Sequence, residues 1–464
     1  MKPKHNSLLC RNGSTPTIAR TYRVSAMGVA MVTVAAMLAG CAGSAPRLPK
    51  LSELNPFGKA PPPRLEGKRV PVLPKTDNVG GAELASAQAV ALPAPVQNAS
   101  WSQPGGTPSN APGHLAISPT VRRAWTASAG TGSSSSGRLT ASPVVAGGRV
   151  YTLDAAARVS AFAMSGGGRA WRVSLTPENE RASEGYGGGL AIDSGRLIAA
   201  TGFGRVVALN PATGKKIWEK NIGIPVRSSP TAAQNKVFVI STSGRFFCLN
   251  GDDGEIIWEY RGLSETTQIA SNPSPAVDGD VVAIPYPNGD LVAIQISTGT
   301  PLWSDSLART RTASTLASMS DAARPAMAGG TVFAVGHGGR MVATNQTSGE
   351  RLWSLNVPGS QTPWVAGNNV FVVDTTGKLM AVTRNNGQIV WSANLPDSRT
   401  WSGPALAGGA LWLVSNKGRL VGVDAQTGRV TQKLSVGGPT YIAPVVANGM
   451  MFVLTDSAQL VAFR

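Results

Sequence analysis

The sequence predicts an all-β fold, an eight-bladed propeller of four-stranded antiparallel blades whose ring is closed by an N-terminal strand. Three observations carry this. An eleven-residue frame that opens on a small residue, turns through a glycine and closes on tryptophan recurs at intervals of 38 to 50 residues. Four short β-forming runs, split by turn signals, fit between successive frames. The last repeat stops one strand short, while a lone tryptophan strand stands ahead of the first. Self-similarity at such a period marks propellers and solenoids, whose units bury their apolar faces only by stacking.

The frame reads AFAMSGGGRAW from Ala161, ALNPATGKKIW from Ala208, CLNGDDGEIIW from Cys248, AIQISTGTPLW from Ala293, ATNQTSGERLW from Ala343 and AVTRNNGQIVW from Ala381. A seventh copy, GVDAQTGRVTQ from Gly422, keeps Gly428 but has Gln432 where tryptophan is expected, which predicts loose outer packing in that blade. Residues Ser228 to Trp258 show how one repeat makes a blade. The runs SSPTAA, KVFVISTSG, RFFCLNGDDG and EIIWEY are rich in β-branched and aromatic residues, and Ser243-Gly244 and Asp252-Asp253-Gly254 supply tight turns. The glycine four places before each tryptophan falls in the turn entering the outermost strand. Trp125, Trp171, Trp218, Trp258, Trp303, Trp353 and Trp391 repeat blade after blade, which assigns them to packing between neighbouring blades rather than to ligand stacking.

At the C-terminus, Ala443-Pro444-Val445 through Leu460-Val461-Ala462-Phe463 lacks an outer strand, and Val121-Arg122-Arg123-Ala124-Trp125 supplies it. Closure of this kind leaves no blade incomplete and makes cooperative folding depend on residues 120–128.

The leader indicates the compartment. Lys2, Lys4, Arg11, Arg20 and Arg23 precede an apolar run from Val24 to Leu38, shorter than a membrane span and suited to an export signal. Leu38-Ala39-Gly40-Cys41 follows and resembles a bacterial lipobox, which implies cleavage before Cys41 and lipidation of its thiol with diacylglycerol and acyl chains such as palmitate. Ala42, where an aspartate would retain the protein elsewhere, implies the outer membrane by the same resemblance. The expected organisation is therefore a lipoprotein signal peptide at 1–40, a lipidated Pro/Ala-rich disordered tether at 41–99, a docking segment at 100–119 and the propeller at 120–464. Two islands interrupt the polar leader of the domain, Leu51 to Phe57 and Trp101 to His114, and Trp101 is expected to lie against the propeller.

The formal charge of +17 invites a nucleic-acid reading, yet removing the five basic residues of the leader leaves +12 scattered without a basic helix or run. A solvated surface explains it, and no nucleic acid is expected as a partner. Cys10 and Cys41 lie in the leader and anchor, so Cys248 is the folded domain's only thiol and holds the small opening position of its frame. It reads as a packed, inert core residue. No Cys/His zinc spacing and no Ser/His/acid arrangement is visible. His337 sits in a glycine-rich turn, and His114 has no evident partner in the sequence. No catalytic residue, metal or cofactor is assigned.

The frame resembles the tryptophan-docking repeat of the pyrroloquinoline-quinone (PQQ) family of propellers over nearly all of residues 120–464. One branch holds the quinoprotein dehydrogenases, whose resemblance would imply Ca²⁺, PQQ, a catalytic aspartate and usually an adjacent cysteine pair, which is absent here. The other branch is the BamB lipoproteins, non-enzymatic scaffold subunits of the outer-membrane β-barrel assembly machine. The lipobox, tether and blade count fit that branch. Ile224-Pro225-Val226-Arg227 is similar to its hydrophobic-x-hydrophobic-Arg motif, which implies contact with the periplasmic POTRA region of BamA, with Ile224 and Val226 as apolar anchors and Arg227 as the charged one. The branch's companion Asp-x-Asp falls at Ala270-Ser271-Asn272, leaving Asn272 as a hydrogen-bonding substitute. The resemblance further implies the other assembly subunits and unfolded outer-membrane proteins as partners. The alternatives are a PQQ-dependent periplasmic dehydrogenase and a periplasmic propeller that binds a ligand or envelope polymer. Replacing Cys41 with serine is expected to move the protein from the membrane to the soluble fraction, as read by detergent phase partitioning.

Overall fold

The structure is a computed structural model that describes residues 90–135, 137–262, 273–286, 288–307 and 323–464, all within one compact unit. The signal peptide, Cys41, most of the tether and Asn272 lie outside the described residues. Eight four-stranded antiparallel sheets follow one another along the chain. In blade 3, which serves as the type, Thr231–Ala233 is innermost, followed by Lys236–Ile240, Arg245–Asn250 and the outermost Ile256–Arg261. The burial follows from this order. The two middle strands bury four or more consecutive residues because both their faces meet adjacent blades, whereas the outermost strand alternates exposed and half-buried residues.

Blade 8 takes three strands from the C-terminus (Val445–Ala447, Met450–Leu454, Gln459–Phe463) and its outermost, Arg123–Ser128, from the N-terminal side of the domain. The two ends are zipped in antiparallel register, with Trp125 opposite Ala462 and Ser128 opposite Gln459. Ring closure therefore uses a strand pairing between residues more than 300 positions apart.

Between blades, each frame tryptophan reaches into the next blade. The Trp218 indole N–H donates to the Gly251 carbonyl at 2.8 Å, and the same bond recurs from Trp125 to Met164, Trp171 to Pro211, Trp258 to Ile296, Trp303 to Gln346, Trp353 to Arg384 and Trp391 to Ala425. The face of Trp218 lies on Gly254, whose φ is +77° and where an added Cβ would come within 2.6 Å of the ring. Each frame glycine thus has two duties, a left-handed turn and a flat seat for the indole of the preceding blade.

This pairing explains Gln432. Gly428 is kept because Trp391 sits on it. In the blade after Gln432 the outermost strand is Arg123–Ser128 and is not joined to Gln459–Phe463 by a hairpin turn, so no glycine seat follows. Gln432 instead donates to the Val121 carbonyl at 2.7 Å and accepts from the Val121 N–H at 3.2 Å. The expected loose packing gives way to a reciprocal amide clasp across the closure.

The segment ahead of the propeller differs most from expectation. Residues 90–99, which composition assigns to the tether, lie on the propeller, with Val90 buried and Asn369 Nδ2 donating to the Ala91 carbonyl. From there the chain travels round the ring along the far ends of the innermost strands. Asn98 bonds blade 8 (Val446, Asn448), Trp101 pairs with Val145 of blade 1, and Ser102 accepts from Ile192 of blade 2. Gln103 exchanges bonds with Ala232 of blade 3, Pro108 and Ser109 accept from Val277 and Met327 of blades 4 and 5, and Gly113 accepts from Trp364 of blade 6. Leu115 bonds Leu406 and Gly408 of blade 7. The circuit then overlaps its own start, with Val96 bridging Leu115 in parallel.

His114 fastens the overlap. Its Nδ1 lies 2.7 Å from the Pro93 carbonyl and its Nε2 accepts from the Gly409 N–H at 2.9 Å, which together require the neutral ring with the proton on Nδ1. A proline-rich stretch has few helical or sheet options of its own, and its carbonyls and remaining N–H groups are satisfied here by the ends of the inner strands. Trp101 is buried against Trp364, with ring centroids 6.1 Å apart at 26°. Trp101→Ala is expected to cost about 3–5 kcal/mol of stability and to expose residues 90–118 to limited proteolysis, checked by chemical denaturation and by mapping of cleavage sites.

Candidate functional site

The loop Ile222–Ser229 connects the outermost strand of blade 2, Lys216–Asn221, to the innermost strand of blade 3. It is held from both sides. The Ile222 N–H donates to the Gly204 carbonyl at 2.9 Å and the Val226 N–H to the Thr201 carbonyl at 3.3 Å, both in the turn of blade 2. On the blade 3 side, Thr242 N–H donates to the Pro225 carbonyl and Ser228 Oγ to the Ile240 carbonyl. Gly204 is required where it stands, because a Cβ there would meet the backbone of Ile224 at 2.8 Å.

Within this loop the three residues singled out by sequence separate. Val226 is fully buried, packed in the apolar cluster with Ile198, Val206, Trp218 and Val239. It is a wedge between blades 2 and 3, and this corrects its expected part as an outward anchor: the side chain fills the inter-blade seam and leaves no surface for a partner to touch. Ile224 and Arg227 are half-buried and Pro225 is exposed. The Arg227 guanidinium lies over the Tyr186 ring at 4.4 Å, and its carbonyl accepts from the Gly188 N–H at 3.1 Å. A cation held over an aromatic face keeps its charge while losing rotamer freedom.

Arg227 and Tyr186 line a cavity of about 260 Å³ together with Arg138, Ser134, Ser135 and Thr140. Among the described residues its lining carries two cations and no carboxylate. Tyr186 and Arg138 were not singled out from the sequence; they come from loops of blades 1 and 2 that are far from Arg227 in the chain, and no local pattern marks them. Asn272 lies outside the described residues, so its relation to this loop is not described.

The other residues considered for chemistry have quiet surroundings. Cys248 is buried opposite Trp258, and burial pushes its thiol up to about 12, so the nucleophilic thiolate is absent near neutral pH. His337 is exposed in a turn. Among the described residues no three His, Cys, Asp or Glu side chains gather as a metal site would require. On the ring axis a second cavity, about 280 Å³, is lined by residues that precede or begin the innermost strands and by Trp101, Pro104, Gly105 and Asn110 of the N-terminal circuit. Among the described residues Arg324 is the only charged member of that lining, and none supplies a carboxylate of the kind that binds calcium.

Burial of Val226 predicts that Val226→Ala costs about 2 kcal/mol of stability, whereas removal of the half-exposed Ile224 side chain costs less; denaturant titration of both variants measures the difference.

A sequence profile described as "Outer membrane protein assembly factor BamB" matches residues 155–393 and 390–464. The protein of that name from Nitrosomonas eutropha is 25% identical over 214 residues, covering 46% of this chain and 50% of its own length. The one from Yersinia pestis is 23% identical over 323 residues, covering 68% of this chain and 82% of its own. The chain thus spans about half the length of some relatives and four-fifths of others. Among solved structures, BamB from Moraxella catarrhalis superposes with a TM-score of 0.64 at 18% identity, over 74% of this chain and 100% of that one. Quinohemoprotein alcohol dehydrogenase from Comamonas testosteroni reaches the same TM-score at 13% identity, over 79% of this chain and 81% of its own. At these identities the two structures speak for the propeller alone and do not separate scaffold from enzyme. The profile covers about two thirds of the chain, and the chain belongs to the family described as outer membrane protein assembly factor BamB.

Proposed function

We propose that this protein is a non-enzymatic scaffold subunit of the outer-membrane β-barrel protein assembly machinery, anchored through lipidated Cys41 at the periplasmic face of the outer membrane. The family match carries the reading. The rigid loop at Ile222–Ser229 supports it physically: a half-buried aliphatic residue, an exposed proline and an aromatic-braced arginine make a small pre-ordered patch. Its partner is the POTRA region of BamA, an arm whose orientation the disc fixes, with the other assembly subunits and unfolded outer-membrane proteins as further associates. Ile224 and Arg227 make the contact, and Val226 positions them from beneath.

A membrane tether adds to modest contacts by raising the effective concentration of partners held on one surface. The patch is basic, with Arg138 and Arg227 on one cavity, so the facing surface is acidic or rich in carbonyl acceptors. Arg227→Ala is expected to weaken BamA recovery in a pull-down about tenfold or more, and Arg227→Glu further, with the melting temperature little changed. Unchanged recovery with both variants removes the loop from the contact, and no recovery with the unaltered protein removes the function.

A further inference from the structure

The cavity on the ring axis holds two buried N–H donors that have no acceptor among the described residues. The N-terminal circuit spans the far ends of the inner strands and forms one boundary of the cavity, through Trp101, Pro104, Gly105 and Asn110. The remaining lining comes from the approaches to the inner strands of other blades, including Leu139, Arg324, Trp364 and Ile442. The Trp101 indole Nε1 is buried with no hydrogen-bond partner, and so is Arg324 Nε. Neither position is slack. Trp101 is pinned through its backbone to Val145 and its ring is stacked on Trp364. Arg324 stands between Ala323, whose N–H donates to the Val335 carbonyl, and Pro325, whose carbonyl accepts from Asn110 Nδ2.

An unpaired donor inside a protein costs free energy, and an unpaired cation costs more. Burial draws the Arg324 guanidinium down to about 10, which still leaves it charged at neutral pH. Among the described residues no carboxylate pairs with it, and the described lining of the cavity holds none. Two orphan donors in one cavity call for an acceptor supplied from outside, and a full positive charge calls for an anionic one. The space limits its size, since about 280 Å³ lies at the lower edge of small-molecule sites and excludes a folded partner or a polymer.

We propose that the axial cavity binds a small organic oxyanion, a carboxylate or phosphate group carried on a short apolar body. The Arg324 guanidinium and the Trp101 indole N–H bind the oxygens, and Leu139, Trp364 and Ile442 cover the body. The N-terminal circuit is then part of the site as well as a clamp on the ring, because without residues 101–110 the cavity loses one wall and one donor. The assignment is independent of the assembly role and of Arg227.

Thermal unfolding of the purified full-length protein in inorganic phosphate, acetate or benzoate, each against chloride at equal ionic strength, tests it. The expected result is a saturable rise in Tm with at least one of the three; phosphate alone assigns a phosphate ligand, and acetate or benzoate alone a carboxylate. Arg324→Gln is expected to lose at least tenfold in that apparent affinity while matching or exceeding the unaltered protein's Tm in chloride, since it removes a half-buried cation whose Nε has no partner. A purely structural arginine would lower Tm instead. Trp101→Phe, which keeps a ring and removes the N–H, is expected to weaken binding and serves as the readout where Arg324→Gln does not fold. No Tm response to any of the three anions overturns the proposal, as does an equal response in the variant.

Discussion

The fold depends on one repeated contact, an indole laid flat on the glycine turn of the following blade with its N–H on a carbonyl of that turn. Trp218 on Gly254 is the type. The contact needs partners in two consecutive repeats, so no blade is complete alone, and the frame is best understood as half of an interface. A side chain at the glycine would collide with the ring, and a smaller residue at the tryptophan would leave the seat empty. That mutual requirement keeps both residues in six frames. It also accounts for the one frame that keeps only the glycine. Gly428 still receives Trp391, but the blade beyond Gln432 has no turn left to receive an indole, and the amide clasps Val121 instead.

A ring built from such contacts leaves the ends of its innermost strands uncovered on the axis, and the N-terminal circuit covers one set of them. It does so mainly with backbone: carbonyls and N–H groups from Asn98 to Leu115 meet every blade in turn, and His114 locks the overlap by holding Pro93 and Gly409 at once. The circuit ties the eight blades together a second time, independently of the zipped strands at Arg123–Ser128. It also forms one wall of the axial cavity, whose lining brings together Trp101 and Arg324 from two parts of the chain more than 200 residues apart.

The outer loop at Ile222–Ser229 shows the opposite economy. Its anchoring to Thr201, Gly204 and Thr242 gives Arg227 a fixed place over Tyr186, and Val226 is the pin that keeps it there. A contact patch of this kind presents few residues, but little order has to be imposed on them when a partner arrives. The propeller contributes rigidity and leaves the chemistry of recognition to positions outside the frame.

The sequence by itself determined the blade count, the strand order within a blade and the closure, because period, turn residues and the two incomplete ends are all written locally along the chain. It marked the Ile224–Arg227 motif and the inertness of Cys248 for the same reason, a residue type at a fixed place in a repeat. Only the tertiary structure decided that Val226 points inward, that residues 90–99 belong to the folded domain, that His114 has partners on both nitrogens, and that Tyr186 and Arg138 stand beside Arg227. Each of these depends on groups brought together from distant blades. A proline-rich stretch carries no periodic signal of the carbonyls it will meet, and a side chain in a loop carries none of the seam it will fill, since both are set by where the ring closes.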